Sequence, residues 1–253
     1  MKLLEQQVVL VTGANRNTGF GIAKAFVDAG ALVFLHARTI EKARNAAAKL
    51  GDQARPVAAG LQDETAINEM FDAVRDQAGQ LDALVNNACH LGLGYAALDT
   101  PLPYLDEVLS VNLRAVLQCC QCAARLMMET GGSIVNVGSN AANRAIRDRA
   151  AYIASKGAVA ALTRALAVEW GPYDIRVNLL TPGYIHTDRW PTLSDDVVSR
   201  RRANLPLGRE AMAVDIGNAA VFLASDASGN TTGSELVMDG GAEAQLVPPD
   251  AEV

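Results

Sequence analysis

The sequence predicts an α/β fold, a single doubly wound domain whose parallel sheet of about seven strands carries helices on both faces. Three observations predict it. Short apolar strand patterns alternate with helical ones almost from end to end. Several strands are continuous apolar runs, the pattern of strands buried on both sides. No linker, repeat or low-complexity segment interrupts the series, so residues 1–253 read as one domain.

The elements follow in order. Gln7–Thr12, QVVLVT, is the first strand, and a helix runs from about Gly19 to Ala29. ALVFLH at Ala31–His36 is the second strand, followed by an alanine-rich helix over Glu41–Leu50. Arg55–Ala59 and the helix Glu64–Ala78 come next, then the strand Asp82–Asn86 and one long helix ending near Met128. Ser133–Val137 is the fifth strand, and Tyr152–Trp170 its helix. Arg176–Leu180, a helix near Val214–Ala224 and the strand Glu235–Met238 complete the series. Between the last strands, Tyr184–Arg209 breaks the alternation with two prolines and mixed charge. An insertion of that length after a strand's carboxyl end reads as a loop covering a site, at about 184–209.

Composition narrows the function. The chain is 50% hydrophobic and 20% charged, which is globular rather than disordered. A net charge of −6 without a basic cluster argues against nucleic acid as a partner. No apolar run is long enough for a membrane span. MKLLEQQVVLVTG enters a strand pattern at once, so no signal peptide is expected. The four cysteines, Cys89, Cys119, Cys120 and Cys122, then read as reduced thiols of a cytoplasmic protein. Cys119 and Cys122 form a CxxC, but in mid-helix, where they read as small buried apolar side chains. No metal site is expected.

The chemistry concentrates between Ser139 and Lys156. Ser139 follows GGSIVNVG and so stands at a strand's carboxyl end, where open α/β sheets place ligands. Tyr152 and Lys156 are at i, i+4 spacing on one face of the alanine-rich helix. An ammonium beside a phenol favours the phenolate, which gives a proton donor and acceptor. Strand one runs directly into TGANRNTGFG, where Gly13 allows a tight turn and Gly19 opens a helix suited to a pyrophosphate.

TG(x3)N(x)G, NNAC at Asn86–Cys89, Asn112 in SVNL, Ser139, Tyr152-x-x-x-Lys156 and PGYIHTD at Pro182–Asp188 stand in order. With these, and with TGSELVMDGG near its end, the chain resembles the classical short-chain dehydrogenase/reductase family over essentially its whole length. The resemblance implies a Rossmann-type domain binding a nicotinamide dinucleotide. It also implies that Tyr152 exchanges a proton with the substrate oxygen and Lys156 holds the ribose. Ser139 would bind the carbonyl oxygen, and Asn112 would hold a water of the proton relay. Around the cofactor it implies Gly13, Asn15, Arg16, Asn17, Gly19, Leu61, Asn86, Ala88, Pro182, Gly183, Ile185 and Thr187, with Tyr152 and Lys156.

Three departures matter. Asn17 replaces the family's second glycine, and asparagine tolerates a left-handed backbone well. NNAG becomes NNAC, which places Cys89 and His90 where cofactor and substrate meet. Gly60 replaces the acidic residue that usually touches adenine.

Cofactor choice turns on VFLHAR. An acidic residue there would bind the ribose 2′-hydroxyl of NAD, but Ala37 takes the place, with Arg38 next and Arg16 in the glycine loop. Two guanidinium groups without an opposing carboxylate suit a phosphate dianion, so the expected cofactor is NADP(H). His90, Arg149 and Tyr184 are the candidate substrate residues. Arg144, Arg147 and Arg149 either face an anionic or polar substrate or pair with Asp148 and surface carboxylates. Met128-Glu129-Thr130 and Pro172-Tyr173-Asp174 stand where carrier-protein reductases carry basic residues, so a small ketone or secondary alcohol is favoured. A 3-oxoacyl-thioester reductase, an NAD-dependent polyol or hydroxy-compound dehydrogenase, a family member turned to dehydration or epimerisation, and a non-catalytic nucleotide-binding scaffold are the alternatives. The resemblance implies a homotetramer, with a dimer as the alternative, and Ala154, Ala158, Ala161 and Ala165 at helical spacing would allow the close helix approach it needs.

Overall fold

The computed structural model describes residues 3–247. The strands are β1 (Val8–Val11), β2 (Leu32–Ala37), β3 (Ala54–Ala58), β4 (Ala83–Asn86), β5 (Gly132–Val137), β6 (Ile175–Pro182) and β7 (Glu235–Met238). They form one parallel sheet in the order β3-β2-β1-β4-β5-β6-β7. The helices are α1 (Asn17–Asp28), α2 (Ile40–Ala47), α3 (Glu64–Ala78), α4 (Leu102–Leu109), α5 (Ala115–Met127), α6 (Ala150–Trp170), α7 (Asp195–Ala203) and α8 (Ala213–Ala224).

Side chains alternate across each strand, which divides the apolar runs between two cores. Val8, Leu10, Leu84 and Ile134 face one core, with Ile67, Cys119 and Met127 from α3 and α5. Val9, Val11, Val85 and Val135 face the other, with Ile22 and Phe26 of α1 and Ile216 of α8. The strand order reverses between β1 and β4, which leaves a crevice at their carboxyl ends. Among the described residues no helix is long and apolar enough to cross a membrane.

Two expectations need correction. The long helix ending near Met128 is broken: α4 and α5 are joined by a π-helical turn, Ser110–Arg114, that contains Asn112. Such a turn widens the backbone and re-aims one side chain, and it recurs at functional positions. The Tyr184–Arg209 segment is also not a plain loop, since it holds a short 3₁₀ turn at Trp190–Thr192 and helix α7. Ser194 caps α7 by accepting from the Val197 N–H, with Asp195 and Asp196 in the first turn and Arg200–Arg202 in the last. That charge order complements the helix dipole.

Candidate active site

The glycine turn sits on a buried histidine. Gly13 adopts φ +63°, and a Cβ there would come within 2.8 Å of the Ala88 Cα. Its N–H donates to Nδ1 of His36 at 3.0 Å, while the ring's Nε2 lies 3.1 Å from the Ala59 carbonyl. Since Nδ1 accepts, the proton is on Nε2 and donates to Ala59. His36 is 2% exposed, and burial lowers its pKa below the usual 6.5. Asn17 takes φ +49°, the left-handed backbone that the sequence required of it. Its side-chain oxygen accepts from the Asp188 N–H at 3.0 Å, which links the turn to the segment after β6. Asn87 closes the other side by donating to the Thr12 and Gly13 carbonyls.

A crevice of about 540 Å³ opens above this turn. Gly13, Asn15, Arg16, Asn17 and Gly19 line it from the turn, and Arg38 and Leu61 from the ends of β2 and β3. Ala88 and His90 line it from the segment after β4, and Thr187 from the far side. Asn86, Tyr152, Lys156, Pro182, Gly183 and Ile185 are not in its walls. Asn86 spends its amide on Asn136 Oδ1 (2.9 Å) and the Cys120 sulfur (3.2 Å), which turns it into the sheet's interior. Pro182 is buried at the end of β6, Gly183 packs against Asp239, and Ile185 bridges to Ala211. The expectation that no carboxylate opposes the two arginines also changes: Asp188 stands 3.5 Å from Arg16, with both side chains exposed. A second cavity of about 700 Å³ lies between β7 and the 207–211 segment, beside Gly183 and Ile185.

The reacting-group candidates meet at the carboxyl end of β5. Lys156 is 4% exposed, and its ammonium donates to the Val137 carbonyl at 2.7 Å. The same nitrogen lies 5.8 Å from the centre of the Tyr152 ring. Ser139 Oγ accepts from the Ala141 N–H at 3.2 Å. Asn112 is clamped: its oxygen accepts from the His90 N–H at 2.6 Å, and its amide nitrogen donates to the His90 carbonyl and Ser155 Oγ, both at 2.9 Å. Ser155 in turn donates to the Tyr152 carbonyl at 2.7 Å. The segment after β4 thereby touches α6, and Gly92, at φ +60°, sits where a Cβ would be 2.8 Å from that of Tyr152.

Arg149 caps this group. Its guanidinium carbon is 4.4 Å from the Tyr152 ring centre. Among the described residues neither Arg149, Arg147 nor Arg144 pairs with Asp148 or another carboxylate; Arg144 instead donates to the Ala242 and Gln245 carbonyls. Tyr184 packs edge-on to Trp190 and beneath Arg201, so it belongs to the segment that follows β6. There Glu210 is 5% exposed and receives two hydrogen bonds from Arg202, at 2.8 Å each, with His186 Nδ1 at 3.2 Å. The Arg202 hydrogen bonds hold its pKa at about 2. Cys119, Cys120 and Cys122 are free thiols whose pKa values burial raises, for Cys120 to about 12, which makes them inert packing groups.

Sequence reasoning missed His36, Asn87 and Ser155. His36 was visible as a lone polar residue inside the apolar run VFLHAR, and Asn87 as the second asparagine of NNAC.

The comparisons with known proteins agree with this geometry. A family model described as enoyl-(acyl carrier protein) reductase matches residues 13–243. The chain is 36% identical to D-threitol dehydrogenase of Mycolicibacterium smegmatis, over 94% of this chain and 93% of that one. It is 34% identical to a 3-oxoacyl-(acyl-carrier-protein) reductase of Chlamydia trachomatis, over 94% and 98%. A solved structure from Sinorhizobium meliloti, described as a short-chain alcohol dehydrogenase, matches with a TM-score of 0.90 and 37% identity, covering 96% of this chain and 98% of that one. Sheet order, ordered motifs and relatives all lead to one conclusion: the chain belongs to the classical short-chain dehydrogenase/reductase family, nicotinamide-dependent oxidoreductases that act on alcohols and ketones.

Proposed function

We propose that this oxidoreductase uses NADP(H) and acts on a small-molecule ketone or its secondary alcohol, with Asn112, Ser139, Tyr152 and Lys156 as its working residues. The observation that carries the cofactor choice is Arg16 and Arg38 on the wall of one crevice, with no acid at Ala37. Asp188 beside Arg16 does not cancel it, because an exposed pair contributes little and yields to a phosphate.

The residues present fit a dinucleotide. The turn's backbone at the start of α1 suits a pyrophosphate, and Leu61 offers an apolar edge for adenine. When bound, the nicotinamide supplies the hydride chemistry. Tyr152 exchanges the proton at the substrate oxygen. Ser139 already accepts from Ala141, so its own hydrogen is left to donate to that oxygen. Lys156 has three donors and gives one to Val137, which leaves two for a ribose hydroxyl and the phenol. Asn112 uses both amide hydrogens within the protein, so a relay water is held there through acceptor oxygens.

Reduced-nicotinamide absorbance, followed over a panel of ketones and alcohols with each cofactor, tests the reading. NADPH-linked turnover of carbonyl compounds is expected. A protein that binds the nucleotide and turns over nothing would be a scaffold. For assembly, Ala154, Ala161, Ala165 and Val168 leave an exposed face of small and apolar residues on α6, which supports a homotetramer. A monomer mass by light scattering at micromolar concentration would refute it.

A further inference from the structure

Arg149 stands apart from Arg176 and Arg202. Arg176 donates to the Leu223 and Ser225 carbonyls and to Ser228, and Arg202 is paired twice with Glu210. Arg149 precedes α6 with its guanidinium over the face of Tyr152, and its Nε is buried without a partner. Burial lowers its pKa, and among the described residues the charges acting on it include Tyr152 and the like charge of Arg189 but no carboxylate. A half-buried cation near a second cation, with no counter-ion among the described residues, is costly, and such groups are ordinarily paired. The unmet partner is therefore expected to arrive from solution.

We propose that Arg149 receives an oxyanion of the substrate, a carboxylate or chemically similar group, on the molecule whose carbonyl meets Tyr152. This deepens the carbonyl-reductase reading and rests on it. The guanidinium can contact an anion through its fork while its carbon stays over the ring, so one side chain sets substrate charge at the reacting end. Cys89 and His90 line the crevice beside it, and His90 packs edge-on to Tyr104. Of the acids nearby, Glu107 faces His90 at 3.9 Å and Asp188 faces Arg16, which leaves Arg149 and Arg189 to a ligand.

The test uses matched probes: pyruvate, acetoacetate and levulinate, each against its methyl ester, reduced with NADPH. At least one acid should be turned over about tenfold more efficiently than its ester, the scale of a charged hydrogen bond. Arg149→Gln should collapse that ratio by about tenfold, and Arg149→Lys, which keeps charge but not the fork, should fall between. Equal loss on acid and ester would mean that Arg149 only props the tyrosine, and would overturn the proposal. A separate calorimetric titration of butyrate and butyramide into the nucleotide-loaded protein distinguishes the two failures. Equal binding of both by the wild type overturns the anion site. Preferential butyrate binding that Arg149→Gln abolishes supports it even if no carbonyl is turned over, in which case it is the reductase reading that fails.

Discussion

The Gly13 N–H donates to the His36 ring 3.0 Å away, so the turn that would hold the nucleotide rests on a neutral histidine. Protonating Nδ1 would set one N–H against another. Because the folded pKa is lowered from 6.5, the unfolded chain binds the proton more readily. The stabilisation is fully present above pH 6.5 and is lost as pH falls toward the folded value. Melting temperature and nucleotide affinity should therefore both drop as pH falls below 6.5. His36→Gln can accept from Gly13 and donate to Ala59, so it should flatten that slope. His36→Ala should lose about 1–3 kcal/mol by leaving the turn's N–H unmet. A slope unchanged in His36→Gln would assign the pH dependence elsewhere.

Glu210 anchors α7. Its two bonds from Arg202 and its contact with His186 join α7 to the stretch that follows Tyr184. Glu210→Gln keeps the shape and removes the charge, so α7 should open more often. Trypsin cleavage at Arg200–Arg202 should quicken by about severalfold, with KM rising more than kcat falls. Since its pKa is lowered from 4.5 to about 2, the tie holds above pH 4.5 and weakens as pH falls toward 2. Unchanged cleavage would show that the pair does not restrain α7.

The fold was legible because strands buried on both faces leave unbroken apolar runs, and Glu64–Ala78 and Glu235–Met238 match residue for residue. The break at Ser110–Arg114 was not, since a π turn changes the hydrogen-bond register without changing composition. Helix α7 was missed for another reason. It buries no residue and has no apolar stripe, so only its Ser194 cap and its acid-to-base charge order could have revealed it. In the site, the motif spacing placed Tyr152 and Lys156 on one helix. The clamp of Asn112 on His90 joins residues 22 apart, and no local pattern reports that contact.

Arg38→Asp should reverse cofactor preference. It replaces a phosphate partner with a carboxylate that repels phosphate and accepts from a ribose hydroxyl. NADPH use should fall about tenfold or more, and NADH use should rise. Equal use of the two cofactors by the wild type would show that Arg16 and Arg38 do not select the phosphate.

Tyr152→Phe tests the reacting centre itself. The ring keeps its place beneath Arg149 and against Gly92, so folding and NADPH binding should survive while the proton donor is gone. Acid–base groups contribute about 10²–10⁴-fold, and a donor that also holds a developing oxyanion belongs toward the upper end. Lys156→Met should do comparable damage by another route. It gives up the bond to the Val137 carbonyl and the two hydrogens left for ribose and phenol, so cofactor affinity should fall together with turnover. The two variants are thus separated by nucleotide titration, which should be near wild type in Tyr152→Phe and weakened in Lys156→Met. If Tyr152→Phe retained more than about a tenth of wild-type turnover, far above what losing such a group allows, the tyrosine would be a packed helix residue and the proton would come from elsewhere.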